Sequence, residues 1–221
     1  MAHRFIISGT GPRAGRTTVG CALAFAFKVR ALRVGVMKPI ATGCVVRDGL
    51  PAADDAAALI AAGSADFALE FISPYRYRSP LTPIEAAQAD GVAAPDFTII
   101  DRTLGQIESH SDVVIVEDTH GLATRLEATK DFADLAIAHG LELILVVARR
   151  PGYVDDAIAA LDFAQRRKAP IRGAILNALA AATPVDIDRD ADALALAIGA
   201  PLLGTMRFKE PLSLAIVEQL L

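Results

Sequence analysis

Short runs of β-branched and aliphatic residues alternate along this chain with longer stretches rich in Ala and Leu, and that alternation limits the fold more than any other feature. Residues 4–8 (RFIIS), 33–38 (RVGVMK), 112–117 (DVVIVE), 142–147 (ELILVV), 172–177 and 201–206 read as strands. Residues 16–31, 54–62, 84–91, 95–109, 131–139, the stretch after Pro151, and 188–198 carry helical patterns. The runs at 112–117 and 142–147 are continuously apolar, the pattern of a strand buried on both faces. Strands that alternate with helices connect by right-handed crossovers into a parallel sheet. The expected fold is therefore α/β: one doubly wound, mostly parallel sheet with helices on both faces. A chain of 221 residues fits within one such domain, spanning residues 1–221. Segment 73–83 (SPYRYRSPLTP) reads as an ordered excursion, and 178–183 (ALAAAT) as the nearest thing to a flexible loop.

Composition agrees and narrows the function. Hydrophobic residues make up 53% of the chain, aromatics only 5%, and Trp is absent, so the core is built from Ala, Leu, Val and Ile. A net charge of -4 argues against general nucleic-acid binding, which needs a basic face. Cys21 and Cys44 form neither a CxxC pair nor a disulfide framework and read as ordinary thiols of a reducing compartment. The N-terminal apolar run stops at Gly9 without a leader pattern, and no apolar run approaches the roughly 18 residues of a membrane span. The expectation is a cytoplasmic protein that takes a small-molecule substrate, with no nucleic-acid or membrane partner.

The first strand–helix junction reads Gly9-Thr10-Gly11-Pro12-Arg13-Ala14-Gly15-Arg16-Thr17-Thr18. A glycine-rich turn feeding a helix start aims backbone N–H groups at one spot, where the helix dipole favours an anion. The ordinary P-loop has four residues between its glycines, followed by Lys and Ser/Thr. Here five residues separate Gly9 from Gly15, and Arg16 stands where the Walker lysine belongs. Arginine keeps the positive charge but replaces a compact point charge with a wide planar fork. Thr17 is placed for Mg²⁺, and Gly9, Thr10, Arg13, Gly15, Arg16, Thr17 and Thr18 are the expected phosphate-binding positions.

Further positions fit the same crevice, since strand ends on the carboxyl edge face the ligand in doubly wound sheets. Lys38 ends the second strand. Asp54 and Asp55 open a helix, where they read either as capping charges or as metal ligands. Glu117 ends DVVIVE, where a Walker-B-type acid stands, and His120 follows as a candidate substrate contact.

In this order the pieces resemble dethiobiotin synthetase, a P-loop ATPase family of the SIMIBI type. The five-residue loop spacing, Lys38-Pro39-Ile40-Ala41-Thr42-Gly43, Asp55-Ala56, the SPYRYRSPLTP tract, Val116-Glu117, Asn177, and Pro201-Leu202-Leu203-Gly204 carry the resemblance over nearly the whole chain. That family uses ATP and Mg²⁺ to close a ureido ring from CO₂ and 7,8-diaminononanoate, through a carbamate activated by the γ-phosphate. The resemblance implies that Thr17, Asp55 and Glu117 hold Mg²⁺, that Lys38 and Arg16 serve the chemistry, and that Asn177, Pro201 and Leu202 meet the adenine. It places Thr42, Asp118, His120, Gly152, Tyr153 and Asp155 around the substrate, with the pocket completed across a homodimer.

The departures fall on the chemistry. The family's loop reads like GTDTxVGKT, whereas this chain has Gly11-Pro12 for Asp-Thr and Arg16 for the lysine. Gly-Ala-Gly-Gly after the strand acid is Asp118-Thr119-His120-Gly121 here, and Asn-His at the later helix start is Asp155-Asp156. Two readings follow: an ATP-dependent carboxylating cyclase with an altered substrate, or a diverged P-loop module that binds nucleotide or a partner in a regulatory role. A partitioning-type ATPase would carry a signature lysine five residues before the Walker position, where this chain has Gly11.

Overall fold

The structure, a computed structural model, describes residues 3–64 and 66–221. β1 (His3–Gly9) leads through the glycine-rich loop into α1 (Arg16–Val29), then β2 (Val34–Met37). A short β3 (Ile40–Ala41) and a hairpin, β4 (Val45–Arg47) and β5 (Leu50–Ala52), precede α2 (Asp54–Ala62) and α3 (Leu69–Ile72). After β6 (Tyr75–Arg76) come α4 (Pro83–Asp90), α5 (Phe97–Ser109) and β7 (Val113–Glu117). The second half runs α6 (Phe132–His139), β8 (Glu142–Ala148), α7 (Tyr153–Arg167), β9 (Ile171–Asn177), α8 (Pro184–Ala197), β10 (Leu202–Met206) and α9 (Leu214–Glu218).

Six strands form one sheet in the order β10-β9-β8-β1-β7-β2, and every pairing in it is parallel. All five residues of β7 are buried, as are six of the seven in β8. Neighbouring strand residues point to opposite faces, so both faces are covered. The apolar runs at 112–117 and 142–147 thus mark central strands, as their lack of alternation suggested.

Two sequence readings change. α8 starts at Pro184 rather than at 188, because Thr183 caps it by accepting from Asp186 N at 3.2 Å and Pro184 takes the first helical position. Between β2 and α2, where no element was read, Asp48 (φ 50) and Gly49 (φ 80) turn the β4–β5 hairpin, the two positive angles a tight hairpin turn needs.

The excursion 73–83 is ordered by its main chain. Tyr75 N donates to Pro39 O, Tyr77 N to Ala41 O, and Gly43 N to Ser79 O, all within 3.2 Å. The Tyr77 ring is buried and its hydroxyl donates to Ala93 O at 3.0 Å. These bonds fix the Lys38–Gly43 segment beside the end of β2.

At the opposite edge of the sheet, β2 and β7 are joined by a bidentate pair, Arg33 Nε and a terminal nitrogen to Asp112 at 3.0 and 2.7 Å, with Arg33 N also donating to Asp112. Arg33 holds the Asp112 carboxyl down at about 2, against roughly 3.9 in an unfolded chain. Its contribution is therefore complete above about pH 4 and fades as pH falls toward 2. Asp112→Asn is expected to lower the melting temperature at pH 7 and to lower it by much less near pH 2. Thermal denaturation at the two pH values checks this; an equal gap at both contradicts it.

Candidate functional site

Parallel pairing brings the carboxyl ends of the central strands to one edge. Gly9 of β1 lies between Val146 of β8 and the end of β7, where Glu117 pairs with Ile7. Met37 ends β2 beside Val116, and Asn177 ends β9 beside Ala148 on one side and Met206 on the other. The strand order reverses about β1, so the crevice for a ligand opens there. A cleft of about 830 Å³ occupies it, lined by Arg13–Thr18, Asp55, Glu117, 177–179 and 206–211. That volume lies within the roughly 300–1,000 Å³ of small-molecule pockets.

The phosphate loop has the geometry an anion needs. Gly15 caps α1 in the left-handed region (φ 91), no side chain caps the helix, and no acid sits in its first turn. The first-turn N–H groups are therefore free to meet an anion. A Cβ on Gly15 would lie 2.1 Å from Asn177 Nδ2, so the position admits only glycine. Arg13 also adopts a left-handed conformation (φ 56), strain of the kind that concentrates at working loops.

Beneath the loop four expected residues converge. Thr17 Oγ1 donates to Glu117 Oε1 at 2.9 Å. Lys38 Nζ donates to the same oxygen at 2.5 Å and to Asp118 O at 3.2 Å, and lies 3.5 Å from Asp55. Lys38 and Glu117 are buried, whereas the Asp55 side chain is 56% exposed. Glu117 Oε2 has no hydrogen-bond partner. An unpartnered buried carboxylate oxygen is costly; the carboxyl's other oxygen takes the Thr17 hydroxyl, and Lys38 links this carboxyl to the Asp55 carboxylate. Mg²⁺ takes such oxygens at one or two carboxylates and completes its shell from phosphate and water. The donor set Thr17, Asp55 and Glu117 fits that ion, and Lys38 now supplies the positive charge between the two acids. The same acids, after burial, push the Cys21 thiol up to about 11, so it is an inert neighbour.

Arg16 lines the cleft, but its side chain is mostly buried. One terminal nitrogen donates to Gly11 O at 3.2 Å, and Nε lies 3.4 Å from Asp118 Oδ1. Asp118 is completely buried; burial lifts its carboxyl to about 6, with Arg16 pulling the other way. This corrects the expectation of Asp118 as a substrate contact: it has no surface to offer and serves as counter-charge to the Walker-position arginine.

Other expected positions separate. Thr42 Oγ1 lies 3.2 Å from His120 Nε2, which is equally far from Leu81 O, so these two exposed groups do meet. His120 takes a left-handed backbone (φ 67), beside Gly121 (φ 145). Thr10 faces the sheet, its hydroxyl accepting from Ala148 N at 3.1 Å, and neither it nor Gly9 lines the cleft. Gly152 caps α7 (φ 83), Tyr153 donates to Asp190 O at 2.9 Å, and Asp155 is exposed. All three belong to the start of α7, where Gly152 and Tyr153 line a separate recess with Arg149, Arg150 and Asp190.

Pro201 and Leu202 are a second correction. Leu202 pairs with Ala174 at the amino end of β10, whereas Met206 pairs with Asn177. The strand runs parallel to its neighbour, so its first residues lie at the edge away from the cleft. The cleft is lined at the carboxyl end of β10 by 206–211, with Phe208 40% exposed, and on the β9 side by Leu179 at 39%. Counting from the strand's carboxyl end would have found this lining. Asn177 does line the cleft, and its Nδ2 donates to Ala14 O at 2.8 Å.

The parallel sheet, the glycine-rich turn at the start of α1 and the acid ending β7 together define a P-loop ATPase-like domain. The chain belongs to the AAA_26 family, described as an AAA domain, whose model matches residues 3–214; this P-loop ATPase family includes dethiobiotin synthetase. Among solved structures it is similar to a ParA family ATPase from Chlorobium tepidum TLS, at 17% identity and TM-score 0.55 over 99% of this chain and 89% of that one. It is similar also to the septum site-determining protein MinD complexed with Mg-ADP from Pyrococcus horikoshii OT3, at 18% identity, TM-score 0.52, and 97% and 86% coverage. The MinD cell division protein of Aquifex aeolicus matches at 15% identity and TM-score 0.56 over 99% and 87%. These likenesses establish the fold. No helix among the described residues is long and apolar enough to cross a membrane.

Proposed function

We propose that this protein is an ATP- and Mg²⁺-dependent enzyme that activates a carboxylated amine, a carboxylating cyclase of the dethiobiotin synthetase kind acting on a diamine or related amine. The observation that carries this reading is buried Lys38, held between Asp55 and Glu117 beside Thr17 and the phosphate loop. A lysine placed there meets both a terminal phosphate and an anionic substrate. Bound Mg²⁺ would neutralise phosphate charge, held by Thr17, Asp55 and Glu117. With Asp55 and Glu117 holding such a metal, Lys38 would be free to turn its ammonium to an anionic substrate. The α1 start binds phosphate through its backbone, and Asn177, Leu179 and Phe208 take the base. Thr42 and His120 lie on the substrate side. Asp155 makes no ion pair among the described residues, and Tyr153 and Arg150 are engaged with Asp190 and Thr10. A homodimer is proposed to bring the start of α7 to the partner's substrate side.

A second reading, a nucleotide-binding module of regulatory role, is favoured by one observation: Arg16, at the Walker position, is paired with buried Asp118 and with Gly11 O. Phosphate release from ATP with bicarbonate and a panel of diamines separates the two. The enzyme reading expects release that needs both bicarbonate and an amine. Nucleotide binding with no amine-dependent release across the panel contradicts it and supports the second.

A further inference from the structure

Two arginines follow β8, and they are held differently. Arg149 is committed: its guanidinium pairs with Asp190 at 2.6 and 2.8 Å, and its N–H donates to Asn177 O at 2.9 Å. Arg150 is held loosely, 3.1 Å from Asp156, with both side chains about two-fifths exposed. Its terminal nitrogen donates to Thr10 O at 3.0 Å and stands 2.8 Å from where a Cβ on Gly11 would be. The guanidinium thus fills the space that a side chain at Gly11 would take. Arg13–Thr18 and Asn177 line the base-side cleft, while 9–12 and Arg150 do not. The Gly11 stretch belongs to the same β1–α1 loop as Arg13–Gly15, and Arg150 reaches it from the end of β8.

From this geometry we infer that Arg150 is a phosphate-binding residue, which leaves Asp156 to contact the terminal phosphate of a bound nucleoside triphosphate. The inference rests on the cleft being a nucleotide site. Gly11 supplies room, and Arg150 supplies at that point the charge that Arg16, tied to Asp118, does not. A guanidinium fork suits a phosphate oxygen pair, and its partner Asp156, being exposed, releases it at little cost.

The test is calorimetric titration of ADP and ATP, each with Mg²⁺, into the parent, Arg150→Ala and Arg150→Lys. Loss of a charge-assisted hydrogen bond is expected to weaken ATP by about 10- to 100-fold in Arg150→Ala. ADP, which lacks the terminal phosphate, is expected to change by less than about twofold, and Arg150→Lys to recover part of the ATP affinity. If the parent binds both nucleotides and Arg150→Ala weakens them equally or not at all, the role of Arg150 is overturned while the nucleotide site stands. If the parent binds neither nucleotide, the reading of the cleft falls and Arg150's role with it.

Discussion

Replacing Lys38 by methionine is expected to destabilise the protein by about 3–5 kcal/mol, the usual cost of leaving one partner of a buried ion pair alone. Glu117 already has one oxygen without a partner, and Lys38 supplies the bond to the other along with Thr17. Methionine fills the stem's volume and removes the charge, so the loss reads electrostatics rather than packing. The same change exposes the donor set of Thr17, Asp55 and Glu117 to a cation, so Mg²⁺ is expected to raise the variant's melting temperature more than the parent's. Any turnover is expected to fall by about 100-fold or more, the scale of losing one positioned charge-stabilising donor. Urea denaturation with and without Mg²⁺ checks the stability claims. A variant as stable as the parent contradicts the importance given to this pair.

Arg16→Ala is expected to cost less, about 1–2 kcal/mol at pH 7, because buried Asp118, whose carboxyl burial already lifts to about 6, takes up a proton when its counter-charge is removed. Asp118→Asn in the Arg16→Ala background is expected to recover most of that loss. The coupling between the two sites is expected at about 1 kcal/mol, within the range for contacting residues. Additive losses contradict the pairing. The consequence for function is that restoring a Walker lysine by Arg16→Lys alone does not recreate an ordinary phosphate loop. Lysine at position 16 still faces a buried carboxylate, and Arg16→Lys with Asp118→Gly is the change expected to free it toward phosphate. Nucleotide affinity of the single and double variants distinguishes the two cases.

Much of this was legible in the residues because the signals were local. VVIVE and ELILVV have no polar alternation, which is enough to place them at the centre of a parallel sheet. Gly15, Thr17, Lys38, Asp55, Glu117 and Asn177 each stand at a strand end or helix start, and parallel pairing necessarily carries such ends to one edge. What could not be read was pairing between distant side chains. Nothing in the sequence joins Arg16 to Asp118, or Arg150 to Gly11, because these contacts depend on how β8 and β7 flank β1. Asp118 looked available because it follows Glu117, yet its carbonyl and carboxylate turn inward beneath the loop. Pro201 and Leu202 came from the family resemblance alone, and their place at the amino end of β10 depends on the register with β9. The hairpin at Asp48-Gly49 was legible through its turn residues and was overlooked, since Val45, Val46 and Leu50 beside it are exposed and make no core pattern.

The most direct measurement of the nucleotide site is calorimetric titration of ATP into the protein with and without Mg²⁺, repeated on Asp55→Asn. The expected result is one ATP per chain, tighter with Mg²⁺ than without, and a Mg²⁺ effect that is largely lost in the variant. No heat of binding and no shift in melting temperature with ATP, under either condition, would contradict the assignment of this cleft to a nucleotide.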